Sequence, residues 1–115
     1  MKNPVLFLTL SLLLTACGSN TPTGIAGKFL ECLATKEYDK AMQYCTPTAI
    51  MVVNTIRNMD PQPAQSGRYM VLRDSVVGDQ AWVFYTDTKL APDAETKLQM
   101  AKVDGKWKVD ARMEK

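Results

Sequence analysis

Apolar side chains recur at helical spacing in three successive segments of the first half of the chain. The i, i+3, i+4, i+7 pattern of a one-sided helix runs through residues 24–34, a segment capped by Thr35, and a segment that begins at Thr46-Pro47. The apolar positions are Ile25, Ala26, Phe29, Leu30 and Leu33, then Tyr38, Ala41, Met42 and Cys45, then Ala49, Ile50, Val52, Val53, Ile56 and Met59. The pattern predicts three amphipathic helices.

From Arg68 onward the pattern changes from helical to strand-like. Segments rich in β-branched and aromatic residues predict four strands, at residues 68–77, 81–90, 96–103 and 106–113. Gly78-Asp79 and Asp104-Gly105 are hairpin turn signals, residues 91–94 contain a proline that should break the second strand, and residues 60–67 should form a loop. Helices followed by a meander predict an α+β fold, with N-terminal helices packed on a curved four-stranded antiparallel sheet.

A short apolar run precedes this domain. Lys2 is followed by an almost purely aliphatic stretch, Val5–Leu14, which is too short to span a bilayer and is typical of an export signal. It closes on Leu14-Thr15-Ala16-Cys17, which resembles the lipobox of bacterial lipoproteins. The resemblance implies cleavage between Ala16 and Cys17 and an acylated, palmitate-bearing Cys17 that anchors the chain to membrane lipid.

The predicted organisation is therefore a signal peptide at 1–16, a lipidated tether at 17–23 and a single α+β domain at 24–115. Gly18 and Ser19, rather than an aspartate, follow the cysteine. By resemblance to sorting in Gram-negative bacteria, this favours the outer membrane, facing the periplasm; in a Gram-positive organism the anchor would lie in the plasma membrane. The tether reaches roughly 20 Å when extended, which keeps the domain near the bilayer.

Charge and composition limit the partners, metal sites and cofactors that the chain is expected to bind. The chain has 14 Lys and Arg against 12 Asp and Glu and no basic cluster, which disfavours nucleic acid as a partner. It has no histidine, the commonest general base and metal ligand, so neither a metal site nor a cofactor is expected. Export permits a disulfide between Cys32 and Cys45, both on apolar helix faces; the alternative is two buried thiols.

Three motifs carry a resemblance to a known fold family. They are Glu37-Tyr38-Asp39-Lys40-Ala41, Gly78-Asp79-Gln80-Ala81-Trp82-Val83 and Gly105-Lys106-Trp107-Lys108-Val109-Asp110. In this order and spacing they resemble the nuclear-transport-factor-like (NTF2-like, cystatin-like cone) domains, and among them small bacterial lipoprotein domains of unknown function near the lumazine-binding-like group. The resemblance implies helices packed against a curved sheet.

Enzymes of that superfamily place a carboxylate and a tyrosine inside the cavity, which directs attention to Asp39, Asp74 and Asp87 and to Tyr44, Tyr69 and Tyr85. Asp74 alternates with apolar side chains, and burial would raise its pKa and suit it to act as a base. The alternative is a β-bulge or a solvent-exposed strand end. The residues of the expected ligand pocket are Asp74, Trp82, Phe84, Tyr85 and Met100; a plain core is the alternative for the apolar ones.

The functional expectation is a membrane-anchored envelope lipoprotein with a non-catalytic domain that binds a protein or a small apolar ligand. An isomerase- or dehydratase-like enzyme that uses a cavity carboxylate is the alternative. The oligomeric state stays open, with a dimer as one option.

Overall fold

The computed structural model describes residues 20–112. Three helices precede four strands, and the predicted α+β class is confirmed. The elements are α1 (Pro22–Ala34), α2 (Tyr38–Met42), α3 (Pro47–Met59), β1 (Tyr69–Val77), β2 (Gln80–Asp87), β3 (Ala91–Val103) and β4 (Lys106–Val109).

Threonine caps start the two long helices. Thr21 Oγ1 accepts a hydrogen bond from the Gly24 N–H at 3.1 Å, and Thr46 Oγ1 accepts one from the Ala49 N–H at 3.3 Å. A proline follows each cap, where the missing N–H costs no helical bond. The prediction that Thr35 caps α2 is wrong. Its hydroxyl donates to the carbonyl of Glu31 at 3.0 Å, so Thr35 ends α1 instead.

The sheet is an antiparallel meander in the order β1-β2-β3-β4. Asp104 and Gly105 both have positive φ, 53° and 79°, as the predicted two-residue turn requires. The prediction that residues 91–94 break the second strand is wrong, because β2 already ends at Asp87 and these residues begin β3. The Thr86 hydroxyl donates to the carbonyls of Ala91 and Pro92, and β4 does not extend along this part of β3.

The core lies between α1 and the inner face of the sheet. Phe29 and Leu30 of α1 are 2% exposed, and Val83, Met100 and Val109 of the sheet are fully buried. The end of β4 is fixed to the α2–α3 junction, since the Val109 N–H donates to the Tyr44 carbonyl at 2.7 Å and the Thr46 N–H donates to the Val109 carbonyl at 2.9 Å. Close backbone pairing therefore brings the start of α3 to the edge strand β4.

The two cysteines of the domain are free, buried thiols, so the disulfide favoured from sequence is not formed in this structure. Cys45 Sγ donates to the Ala41 carbonyl at 3.4 Å. Burial raises the pKa of Cys45 to about 12 and also raises the pKa of Cys32. Both thiols therefore pack as small apolar side chains of the core.

Candidate binding site beside helix α3

Helix α3 buries only part of its apolar surface. Ala49 and Val53 are fully buried in the core, whereas the flank beside them lines an open pocket of about 330 Å³. The lining residues are Val52, Thr55, Ile56, Met59 and Asp60. Because Val52, Ile56 and Met59 are four and three positions apart, they form one apolar ridge along the helix.

Asp60 is the one charged residue among these lining residues. It follows the last turn of α3, and its Oδ1 accepts the Gln62 N–H at 2.9 Å. Lys36 Nζ donates to the Asp60 carbonyl at 3.1 Å and lies 3.9 Å from Oδ2. The Asp60 side chain is 15% exposed, so a largely buried carboxylate stands at the edge of an apolar pocket.

Two tyrosines of the sheet pack against each other, and one of them, Tyr69, feels the charge of this carboxylate. The rings of Tyr69 and Tyr85 meet edge to face at 5.7 Å, and the charge of Asp60 is among the causes that raise the pKa of Tyr69, after burial. Burial raises the pKa of Tyr85 to about 12. Both phenols therefore keep their protons at neutral pH and are available as hydrogen-bond donors.

A buried ion pair lies at the end of the sheet where Tyr69 is located. Arg68 is 5% exposed, and its Nη2 lies 2.7 Å from Asp87 Oδ2 while its guanidinium stacks 4.9 Å from the Tyr69 ring centroid. The Arg68 hydrogen bonds lower the pKa of Asp87 to about 2. Asp87 is therefore a permanently ionised partner of Arg68, which leaves it a poor proton acceptor.

Tyr38 of α2 lies under a side chain of α3. The Arg57 guanidinium lies 5.9 Å from the Tyr38 ring centroid, and the Tyr38 hydroxyl is buried without a hydrogen-bond partner among residues 20–112. Arg57 is 3.6 Å from Asp39, whose side chain is 92% exposed. Asp39 therefore lies on the surface and not in a cavity.

The structure does not bring the five residues of the expected pocket together. Tyr85 and Met100 lie on the helix-facing side of the sheet, with Met100 fully buried. Trp82 and Phe84 alternate with the buried Ala81 and Val83 and so face the other side. There the Arg73 guanidinium stacks 4.3 Å from the Phe84 ring centroid.

Asp74 is exposed on the edge strand β1. A bulge between Val71 and Arg73 shifts the register, so that Val71 lies opposite Tyr85 and Asp74 lies opposite Val83. The alternation that made Asp74 a candidate is interrupted there, as the bulge alternative had it. Tyr44 is half-buried against the core, and the proposed cleavage and lipid sites, Ala16 and Cys17, lie outside the described residues.

Sequence reasoning missed Asp60. The pattern places Asp60 in the loop predicted at 60–67, although it directly follows the apolar ridge of Val52, Ile56 and Met59. That position, one residue past an apolar helix stripe, was the available signal. Between residues 20 and 112 no cluster of three His, Cys, Asp or Glu could hold a metal ion, and no helix there has the length and apolarity to cross a bilayer.

Comparison with solved structures identifies the fold. A crystal structure from Campylobacter jejuni, provisionally named an NTF2-like transpeptidase, superposes with a TM-score of 0.62 at 16% sequence identity. The match covers 80% of this chain and 99% of that chain. The chain has an NTF2-like fold. Neither protein-family models nor curated proteins gave a match.

The comparison corrects one expectation about function. The sequence was interpreted as a domain without catalysis, but the NTF2-like protein that it resembles carries the name of an enzyme. The expectation of a non-enzyme is contradicted by that name. At 16% identity the likeness establishes the shared fold, and the activity in the name belongs to the Campylobacter protein.

Proposed function

We propose that the chain is a lipid-anchored envelope protein whose NTF2-like domain binds a small apolar molecule beside α3 and transfers a proton on it through Asp60. The observation that carries this proposal is the pocket of about 330 Å³ with an apolar ridge and a single carboxylate. Its reaction class is that of an isomerase or dehydratase.

The pocket favours a small apolar ligand. Its volume lies at the small end of the range for ligand sites, about 300–1,000 Å³. Val52, Ile56 and Met59 offer aliphatic and thioether surface, and Thr55 adds a hydroxyl. A ligand that covers this ridge would gain roughly 25 cal/mol per Å² of apolar area removed from water.

Asp60 is the proton acceptor of the proposal. A carboxylate beside an apolar pocket meets its substrate with little competing water, which strengthens its interaction with a polarised C–H group. The Gln62 N–H donates to the carboxylate Oδ1, and Lys36 Nζ, which donates to the Asp60 backbone carbonyl, lies 3.9 Å from Oδ2. Asp87 is unsuited to the same role because Arg68 lowers its pKa to about 2.

The activity in the Campylobacter protein's name does not transfer to the described residues. Acyl transfer through a covalent intermediate needs an activated nucleophile. Cys32 and Cys45 are buried, and burial raises the pKa of each thiol. The Ser66 hydroxyl bonds to Glu31, and that hydrogen bond lowers the pKa of the Glu31 carboxyl, which makes it a weak base.

Membrane attachment rests on the motif at Leu14–Cys17 and is tested by substitution. Wild-type protein should fractionate with membranes and incorporate labelled palmitate, and Cys17→Ala should not incorporate the label. Outer and inner membranes separated on a density gradient would then locate the anchor. Wild-type protein without labelled palmitate would contradict the lipid anchor.

The binding proposal is tested with N-phenyl-1-naphthylamine, a neutral apolar dye whose fluorescence rises in apolar surroundings. The Cys17→Ala background keeps acyl chains out of the assay. Val52→Glu places a charge in the pocket and should weaken dye binding at least tenfold, about 1.4 kcal/mol. Asn54→Glu adds the same charge on an exposed part of the same helix and should leave binding unchanged. Equal affinities of the two variants would overturn the proposal.

A further inference from the structure

Met59 combines exposure with a place in the pocket. It is the last residue of α3, its side chain is 73% exposed, and it lines the pocket together with Val52 and Ile56. Its thioether is therefore open to solvent oxidants and also belongs to the surface that a ligand would cover. Met51 provides a comparison, because it lies on the same helix at 68% exposure and is not a lining residue.

The thiols of the domain do not compete for an oxidant. Peroxides react with the thiolate form of cysteine. Cys32 and Cys45 are 7% exposed, and burial raises the pKa of each, that of Cys45 to about 12. At neutral pH both remain protonated and covered, so the exposed methionines are the more accessible sulfur groups of the described domain.

We propose that Met59 is an oxidation site and that its oxidation by a peroxide weakens ligand binding in the pocket. The thioether sulfur attacks one oxygen of hydrogen peroxide, the O–O bond breaks, and an S=O bond forms. The sulfur loses two electrons, and the second oxygen leaves as water after a proton moves to it. Methionine sulfoxide reductases reverse the change. This inference rests on the proposed ligand pocket.

The sulfoxide acts on affinity through its polarity. The apolar side chain becomes a strong hydrogen-bond acceptor, and a ligand that covers it without donating a hydrogen bond leaves that acceptor desolvated. We expect oxidation of Met59 to weaken binding of N-phenyl-1-naphthylamine by about tenfold. Oxidation of Met51 adds the same group outside the pocket and should not change dye affinity.

The experiment treats three proteins in the Cys17→Ala background with limited hydrogen peroxide. They are the parent, Met59→Leu and Met51→Leu, and peptide mass spectrometry locates the sulfoxides. The parent and Met51→Leu should lose about tenfold in dye affinity. The affinity of Met59→Leu, whatever its starting value, should be the same before and after peroxide although Met51 is oxidised, and reductase treatment should restore the parent.

The outcomes separate the two proposals. If Met59→Leu loses affinity as the parent does, or if oxidised Met59 leaves binding unchanged, the oxidation site is overturned while the pocket stands. If the untreated parent does not bind the dye, or binds it as well with Val52→Glu, the ligand pocket is overturned and the oxidation site with it.

Discussion

Lys36 at the end of α1 reaches Asp60 at the end of α3. Its Nζ donates to the Asp60 carbonyl at 3.1 Å and lies 3.9 Å from the carboxylate Oδ2. The side chains are 30% and 15% exposed, so water screens this contact less than it screens a surface pair. The pocket carboxylate is therefore positioned by a neighbouring helix as well as by its own loop.

Replacing Lys36 should show how much this contact contributes to the free energy of unfolding. Lys36→Met keeps much of the aliphatic stem and removes the charge, and we expect the free energy of unfolding to fall by about 1 kcal/mol. Urea denaturation measures it. Lys28→Met, on the exposed face of α1, is the matched control and should change stability by less than about 0.5 kcal/mol. Equal effects of the two substitutions would show that the contact with Asp60 contributes nothing.

Thr46 joins the start of α3 to the end of the sheet. Its hydroxyl donates to the buried Asp110 Oδ1 at 2.7 Å and also accepts from the Ala49 N–H. Thr46→Val keeps the shape and removes both bonds, which should lower the free energy of unfolding by about 2 kcal/mol. Thr46→Ser restores the hydroxyl and should recover most of the loss. A Val variant as stable as the Ser variant would contradict this account.

Asp87 makes the fold sensitive to acid. Its pKa is lowered from 3.8 to about 2 in the folded chain, chiefly by the hydrogen bonds from Arg68. The folded state therefore binds fewer protons than the unfolded chain between these values. The stabilisation is complete above about pH 4 and is lost as the pH falls through about 2, and it amounts to about 2 kcal/mol.

Asp87→Asn tests this pH dependence, since the amide oxygen can still accept the Lys89 and Leu90 N–H groups. Glu31, Glu37 and Glu95 also have lowered pKa values, so both proteins lose stability in acid. The variant should lose about 2 kcal/mol less than wild type between pH 5 and pH 2. Parallel stability curves would contradict the role of Asp87.

The general fold could be predicted because its signals are local. Thr46-Pro47 marks a helix start and Asp104-Gly105 marks a hairpin through the conformations that these residues favour. Where the signals conflict with tertiary contacts, prediction failed. Pro92 indicated a break, yet the Thr86 hydroxyl and the absence of a β4 neighbour allow it within β3.

The site could not be predicted because it depends on how α3 packs. Ile56 and Val53 have similar apolar character, but Val53 is fully buried and Ile56 lines the pocket. The bulge after Val71 changes which residues share a face of β1, and Asp74, although it lies opposite the buried Val83, is itself exposed. Periodicity carries no information on either point, because both follow from contacts between distant segments.

Proton transfer by Asp60 is tested most directly with a simple apolar ketone. Cyclohexanone in D₂O exchanges its α-hydrogens for deuterium when a base removes them, and NMR follows the exchange. We predict that the Cys17→Ala protein accelerates exchange and that Asp60→Asn, which keeps the size and the Gln62 contact, lowers this acceleration at least 100-fold. Asp39→Asn, at a 92% exposed carboxylate, should exchange at the parent rate. Equal rates for Asp60→Asn and the parent would contradict the account.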